Sequence, residues 1–287
     1  MKYLYYPGCS LEGTAREYDL STRAFMNAVG VELTELEDWT CCGASAAEPI
    51  SLLLSLALPA RNLAIAENMD AGRDILVPCS ACYLNLKRVE DKIKNDADLF
   101  VKINTILNEE NLALKGRTHT RHLLDVMSTD IGPAKLAPLV QKQFNDLIVA
   151  PYYGCQCLRP YTVFDDPEQP QTMAPLINAI GATVHQWDMG AKCCGASHMN
   201  TKPATGQELV GTILKAARGA DVIVTVCPMC QMNLEAYQNK ISSLKDEDLH
   251  MTILYLPQLL GLALGLTAQD LRLDLNLAVT DTFRARL

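Results

Sequence analysis

The sequence has no long apolar run and no excess of basic residues. Its longest apolar runs, residues 50–58 and 259–266, fall far short of the roughly 20 residues that a membrane-spanning helix needs. Its formal net charge is −8, and no cluster of Lys and Arg alternates with aromatic residues, the pattern that favours nucleic-acid binding. We therefore expect neither a membrane span nor a nucleic-acid surface.

A secretory leader and low-complexity tracts are also missing. The start, MKYLYYPGCS, lacks an apolar core followed by a small-residue cleavage site, so we expect a cytoplasmic protein. At 287 residues the chain exceeds the usual size of one domain, about 100 to 200 residues. Two compact domains are therefore expected.

The sequence contains eleven cysteines. Structural disulfide frameworks belong to small secreted domains with an even number of cysteines, so another role is expected. No ferredoxin run of the form Cys-x2-Cys-x2-Cys-x3-Cys is present, nor a flavin or nicotinamide fingerprint. If the cysteines serve electron transfer, the electrons come from another protein.

The cysteines form two successive sets with similar spacing. The first set contains Cys9, Cys41, Cys42, Cys79 and Cys82. The second set contains Cys155, Cys193, Cys194, Cys227 and Cys230, with Cys157 in addition. The sequence segments around them also repeat. YYPGCS corresponds to YYGCQC, CCGAS occurs twice, and VPCSACYLNL corresponds to VCPMCQMNLE. This pattern indicates an internal duplication, and we predict domains at 1–140 and 141–287, with the boundary in 128–146.

Short β-rich runs alternate with helical stretches in both halves, for example the helical stretches 16–30 and 207–220. The predicted strands are 2–7, 31–36, 74–78, 147–153, 182–187 and 221–226, and a further short strand runs into an apolar helix at 118–127 and at 252–264. The fold class is therefore α/β, with two tandem pseudo-symmetric domains, each a small parallel sheet flanked by helices. Each cysteine group follows a strand, so the thiols of each half should meet at the carboxyl edge of its sheet. Tyr5, Tyr6, Tyr152 and Tyr153 are predicted core residues at strand ends.

The spacing within each set indicates shared chemistry. Cys79 and Cys82, three residues apart, fit one face of a helical turn near its N-terminus, where thiolates are stabilised. Adjacent cysteines such as Cys41 and Cys42 share a site only in a turn, for which Gly43, and Gly195 in the second half, supply the backbone freedom. An iron–sulfur cluster uses most of each set. A structural zinc site, a thioredoxin-like redox pair and purely structural cysteines are the alternatives.

The double pattern of one Cys, then Cys-Cys-Gly, then Cys-x-x-Cys resembles the CCG-domain family. The words YYPGCS, WTCCGAS, VPCSACYLNL, PYYGC and LRP resemble the B subunits of heterodisulfide reductases over nearly the full length. The resemblance implies one non-cubane [4Fe-4S] cluster per half, bound by the two sets of five cysteines given above. Two departures exist: Cys157 is an additional thiol and a possible ligand, and 32 residues separate Cys194 from Cys227 where 36 separate Cys42 from Cys79.

The resemblance also implies a reaction and partners. The family substrate is the coenzyme M–coenzyme B disulfide, which makes the chain an oxidoreductase acting on a sulfur group. Because a disulfide takes up two electrons and a cluster usually delivers one at a time, the duplication favours the hypothesis that each of two clusters passes one electron. The implied partners are a C-type iron–sulfur subunit and a flavin-containing A-type subunit, often with a hydrogenase or formate dehydrogenase. His198 is a candidate proton donor to a leaving thiolate, or a solvated loop histidine. Two alternatives stay open: an electron-relay subunit of a lactate, glycolate or succinate oxidoreductase, and thiol chemistry in a sulfur-oxidising relative.

Overall fold

Each half of the chain forms a four-stranded, all-parallel sheet. The computed structural model describes residues 1–44 and 46–287; Ser45, the last residue of the first CCGAS word, lies outside them. The strand orders are β2-β1-β3-β4 and β6-β5-β7-β8. The strands are β1 Lys2–Tyr5, β2 Glu32–Glu35, β3 Ile75–Val77, β4 Thr120–His122, β5 Ile148–Tyr152, β6 Thr183–Val184, β7 Val222–Thr225 and β8 Thr252–Tyr255.

The central strands β3 and β7 and the edge strand β8 are covered on both faces. Every residue of β3, β7 and β8 is buried, as expected for parallel strands with helices on both sides of the sheet. The registers of the halves correspond: Leu4 pairs with Ile75 in the first, and Ala150 with Ile223 in the second. The two sheets are therefore built alike.

Helices connect the strands and cover the sheets. Among the described residues, no helix is both long and apolar enough to cross a membrane. The α-helices are α1 Cys9–Glu12, α2 Arg16–Ala28, α3 Leu52–Asp70, α4 Ser80–Asn95, α5 Ala97–Leu107, α6 Leu123–Val126, α7 Gly132–Leu136, α8 Met173–Ala179, α9 Pro203–Ala216, α10 Pro228–Ala236, α11 Gln238–Lys245, α12 Leu256–Ala263 and α13 Asp281–Arg284.

The predicted fold class is confirmed. All six predicted strands are present, although β6 has only two residues where the pattern predicts six, and both predicted strand-to-helix units exist as β4–α6 and β8–α12. The predicted boundary region is mostly helical, with a π-helical turn at Met127–Ile131 followed by α7. α7 packs on α8 of the second half. The exact division at residue 140 stays a prediction.

Aromatic side chains make contacts between the two halves, along an interface that we call the seam. Helix α2 of the first half packs on α12 of the second, where the Tyr18 and Tyr255 rings stack with centroids 3.9 Å apart. The equivalent of Tyr18 in the repeat is Phe164, whose ring lies parallel to that of His122 at 6.0 Å. Each half therefore completes its core with an aromatic ring from the other.

Candidate metal centre

The cysteines follow the carboxyl ends of the strands, as predicted, although Cys41 comes six residues after β2 and Cys193 nine residues after β6. Cys9 begins α1, four residues after β1, and Cys79 and Cys227 are the N-caps of α4 and α10. Their Cys-x-x-Cys partners, Cys82 and Cys230, therefore sit in the first turn of a helix, where the helix dipole favours negative charge.

In the first half, the five thiols form a string of pairwise contacts. Sγ of Cys9 and Cys41 are 3.8 Å apart, and Sγ of Cys42 and Cys82 are 3.4 Å apart. Cys41 also interacts with Cys42, and Cys79 with Cys82, which links all five. Cys9 and Cys41 are exposed at one end of the string, and the other three are buried.

In the second half, thiol contacts join Cys155 to Cys193, and Cys230 to both Cys194 and Cys227. Cys193 is exposed and Cys155 half-buried, while the remaining three are buried. Within residues 1–44 and 46–287, no three His, Cys, Asp or Glu side chains converge on a single-ion position. The sulfurs are arranged as neighbouring pairs.

Neighbouring thiols share negative charge within each string. Hydrogen bonding by Cys41, and next by Cys82, lowers the pKa of Cys42. A hydrogen bond with Cys155 lowers the pKa of Cys193, and one with Cys230 lowers the pKa of Cys227 to about 7. Each of these contacts shares one proton, so one thiol becomes the thiolate that binds iron. The pKa of the partner is raised in turn, which applies to Cys41, Cys82, Cys155 and Cys230.

Glycine allows the backbone to approach the sulfurs closely. Gly8, with φ of 74°, precedes Cys9, and a Cβ there would lie 2.6 Å from Sγ of Cys82. The equivalent Gly154, with φ of 72°, would place a Cβ 2.9 Å from Sγ of Cys230. No other residue fits these positions without moving a thiol.

Backbone and side-chain N–H groups point at the sulfurs of each Cys-Cys pair. Gly43, in the predicted turn with φ of 73°, donates its N–H to Sγ of Cys41 at 3.4 Å, and Gly195 donates to Cys193 at 3.3 Å. Asn85 and Asn233 donate to Cys42 and Cys194 through their side-chain amides. Sequence reasoning misses both asparagines, although they occupy matching positions in the repeated words.

Two of the predicted core tyrosines also hold the Cys-Cys loops. Tyr6 and Tyr152 are fully buried. Tyr6 donates its hydroxyl to the carbonyl of Thr40 at 2.8 Å, and Tyr152 donates to that of Lys192 at 2.6 Å. Thr40 and Lys192 immediately precede the Cys-Cys pairs, so each tyrosine ties the end of a central strand to its cysteine loop.

The seam between the halves joins the two Cys-x-x-Cys segments. The hydroxyl of the buried Tyr18 lies 3.2 Å from the Pro78 carbonyl and 3.0 Å from the Val226 carbonyl, and these two residues immediately precede Cys79 and Cys227. A single O–H is thus shared between both sites. Sequence reasoning misses this residue because its partners lie 60 and 208 positions away.

A second seam contact runs through a neutral histidine. Leu124 donates its N–H to Nδ1 of His122, which places the ring proton on Nε2, 3.2 Å from Oγ of Ser80. Ser80 donates in turn to the Val226 carbonyl at 3.3 Å. Complete burial lowers the pKa of His122 to about 3, so the ring is uncharged at neutral pH.

The additional Cys157 lies at this seam rather than in the second string. Its Sγ donates to the Tyr153 carbonyl at 3.3 Å, and it also makes a hydrogen bond with Ser80 and lies near the Cys227 thiol. Burial, and next the Cys227 thiol, raise the pKa of Cys157 well above its usual value. The hydrogen bonds of Cys157 are thus made to Tyr153 and Ser80, and its role as a possible ligand stays a prediction.

His198 lies at the end of a short 3-10 helix, Ala196–His198, that follows the second Cys-Cys-Gly. The side chain is half-buried, and its charge contributes to lowering the pKa of Cys193. The candidate proton donor is thus close to an exposed sulfur.

The chain is similar to several known proteins. The model of the family CCG, described as a cysteine-rich domain, matches residues 3–87 and 149–235. A membrane anchor subunit of 8-methylmenaquinol:fumarate reductase from Wolinella succinogenes is 33% identical over 279 residues, which cover 96% of each chain. The B subunit of a ferredoxin/F420H2-dependent CoB-CoM heterodisulfide reductase from Methanosarcina acetivorans is 29% identical, over 98% of this chain and 95% of its own.

Two further likenesses agree with these. A protein from Archaeoglobus profundus, named as similar to the B subunit of heterodisulfide reductase, is 27% identical over 92% of this chain and 91% of its own. A hypothetical protein from Helicobacter pylori superposes with a TM-score of 0.79 over 97% of this chain at 17% identity. This chain spans about half of that protein, 52%, and the likeness shows the fold alone.

Proposed function

This chain belongs to the family of proteins built from the cysteine-rich domain CCG, and we propose that it holds two non-cubane [4Fe-4S] clusters and reduces a disulfide. It would do so as an iron–sulfur electron-transfer subunit of an oxidoreductase. Each cluster would be bound by one set of five thiols. The proposed ligands are Cys9, Cys41, Cys42, Cys79 and Cys82 for the first, and Cys155, Cys193, Cys194, Cys227 and Cys230 for the second.

The surroundings of the sulfurs fit such a group. Iron–sulfur clusters are held by thiolates, and hydrogen bonds to those sulfurs set their potential. Each string offers five thiols, a backbone N–H from Gly43 or Gly195, and a side-chain amide from Asn85 or Asn233. A cluster of several irons binds thiolates at different iron atoms, which suits a string of pairs.

The observation that supports disulfide reduction is the duplication of this site about one seam. A disulfide takes up two electrons and two protons and yields two thiols, whereas a bound cluster usually supplies one electron at a time. Two equivalent sites, joined through the shared Tyr18 hydroxyl, match that requirement. A relay needs only one site for each transfer step.

The chain's own residues define where a substrate would approach. Cys9, Cys41 and Cys193 are the exposed members of the two strings, so these ends face an incoming disulfide. His198 is placed beside Cys193, and we propose that it gives a proton to one product thiolate. Electrons would enter from partner subunits, a C-type iron–sulfur subunit and a flavin-containing A-type subunit, because the sequence has no flavin or nicotinamide fingerprint.

A second candidate is an electron relay between a quinol and fumarate. The observation that favours it is the 33% identity to the W. succinogenes protein, which exceeds the identity to the heterodisulfide reductase subunits. In that case the same two clusters would pass electrons onward, and no disulfide would be reduced.

The test is anaerobic purification followed by iron and sulfide analysis and by EPR of the oxidised protein with and without added thiol. About eight irons per chain and a thiol-dependent signal would support disulfide chemistry, and eight irons without that signal would favour the relay. About four irons or fewer, or zinc, would contradict the two-cluster proposal. Coenzyme M–coenzyme B disulfide reduction with a reduced one-electron dye supplies the activity assay.

Single variants sharpen the test. Cys42→Ala and Cys194→Ala should each abolish disulfide reduction while the EPR signal of the other half persists. Cys157→Ser is the matched control, since that thiol lies outside the string, and it should retain about eight irons. Full disulfide reduction by both Ala variants would contradict the two-site reaction.

A further inference from the structure

Two buried asparagine amides occupy equivalent places beside the paired cysteines. Asn85 and Asn233 each stand three residues after the second cysteine of a Cys-x-x-Cys segment. Nδ2 of Asn85 lies 3.2 Å from the Cys42 carbonyl and 3.7 Å from its Sγ. Nδ2 of Asn233 lies 3.2 Å from the Cys194 carbonyl and 3.6 Å from its Sγ. The two geometries agree to within 0.1 Å.

The orientation of each amide follows from its partner. A backbone carbonyl only accepts hydrogen bonds, so the NH2 group and not the oxygen of Asn85 must face Cys42. That NH2 group has two hydrogens, one directed to the carbonyl and one available to the sulfur. Asn85 is only 9% exposed and Asn233 3%, so water competes little for either donor.

A donor at this place changes the energy of a reduction. When a thiolate-bound centre gains an electron, negative charge on its sulfurs increases, and a hydrogen bond to one sulfur stabilises the reduced state more than the oxidised state. We propose that Asn85 and Asn233 are positioning residues that each raise the reduction potential of the centre in their own half. This inference rests on the proposed clusters.

The hydrogen-bond donors at the two cysteines of each pair differ in whether a side-chain substitution can remove them. The first cysteine of each pair receives its hydrogen bond from the backbone N–H of Gly43 or Gly195, which no side-chain change removes. The second cysteine receives a donor from a side chain, and Cys42 has in addition a backbone hydrogen bond from Ala44. The amide is therefore the group through which each site sets its potential separately.

The experiment is a redox titration of the full-length, cluster-loaded protein, followed by EPR, with iron content measured for every variant. Asn85→Leu keeps the side-chain size and removes the donor. It should lower the midpoint potential of one centre by about 59 mV. For a one-electron centre this shift corresponds to a tenfold decrease in the ratio of reduced to oxidised centre at a fixed potential. Asn233→Leu should lower the other midpoint by a similar amount, and the double variant should lower both.

Asn62→Leu is the matched control. Asn62 is fully buried and exchanges two hydrogen bonds, of 2.9 Å each, with the backbone of Thr40 beside the same Cys-Cys pair. It is bonded to that backbone and to no sulfur among the described residues. The control should leave both midpoints in place even if its melting temperature falls.

Asn85→Asp adds a second test, since it is isosteric and replaces the donor with an acceptor. It should lower the first midpoint further than Asn85→Leu does. Unchanged midpoints in all Asn85 and Asn233 variants with full iron content would overturn the inference and leave the two clusters standing. Loss of one centre in every variant would also overturn it, because the amides would then be structural. A wild-type protein without clusters would instead refute the proposed function.

Discussion

Replacing Tyr18 by phenylalanine tests the seam between the halves with the loss of one oxygen atom. The ring remains stacked on Tyr255, and only the hydroxyl shared by the Pro78 and Val226 carbonyls disappears. Val226 keeps the hydrogen bond from Ser80. The change therefore removes a hydrogen bond without leaving that carbonyl unpaired.

The expected magnitude follows from these contacts. A net hydrogen bond contributes about 0.5 to 1.5 kcal/mol to the free energy of unfolding. For a chain of this length, an unfolding entropy near 2.1 cal/mol/K per residue converts this into a fall in melting temperature of roughly 1 to 2.5 °C. Loss of the whole aromatic side chain costs about 3 to 5 kcal/mol instead, so the two effects are separable by differential scanning calorimetry.

Tyr83→Phe is the matched control for this measurement. Tyr83 is also buried, but its hydroxyl has no hydrogen-bond partner in the part of the chain that the structure describes. Its removal should leave the melting temperature unchanged or raise it, because a buried unpaired hydroxyl is costly. If Tyr18→Phe and Tyr83→Phe shift the transition equally at equal iron content, the shared hydroxyl does not join the two sites.

Three further predictions concern single residues. Gly8→Ala should remove the first centre, about half of the bound iron, because its Cβ would lie 2.6 Å from Sγ of Cys82; full iron content would contradict this. Cys157→Ser should leave the EPR spectrum unchanged, since a serine hydroxyl can also donate to the Tyr153 carbonyl; loss of one signal would make it a ligand. Burial raises the pKa of Glu235 to about 7 from 4.5. Between these two pH values the Glu235 carboxyl is protonated in the folded state and ionised in the unfolded state, so the free energy of unfolding falls as pH rises from 4.5 to about 7. Glu235→Gln should remove this loss, up to about 3 kcal/mol, in denaturant unfolding at pH 5 and pH 8; parallel pH profiles of the two proteins would refute it.

The duplication makes most of the fold predictable from sequence. Strands followed by cysteines recur at almost constant intervals, and parallel strands necessarily bring their carboxyl ends to one edge. The turn at Gly43 is predictable because adjacent side chains diverge in regular structure. These inferences depend on local sequence, which is why they agree with the structure.

Contacts that cross between the halves are not predictable in this way. Nothing near Tyr18 in the sequence indicates that its hydroxyl reaches carbonyls of both halves, because the repeat relates each half to the other without saying how they pack. Cys157 is grouped with Cys155 in the sequence for the same reason: their separation of two residues hides that one faces the seam. Asn85 stands within a repeated word, and its matching position relative to Asn233 is the signal available to find it.

The seam predicts that neither half folds stably alone. Tyr18 and Tyr255 are 0% and 1% exposed because α2 packs on α12 across the halves. An aromatic side chain buries about 150 to 250 Å², so exposing each ring costs up to about 6 kcal/mol at 25 cal/mol per Å², against a usual total stability of about 5 to 15 kcal/mol. Residues 1–140 and 141–287, expressed separately, should therefore lack a cooperative thermal transition, and co-expression should restore it. A cooperative transition in the isolated first half would show that the aromatic exchange joins two finished domains and does not complete their cores.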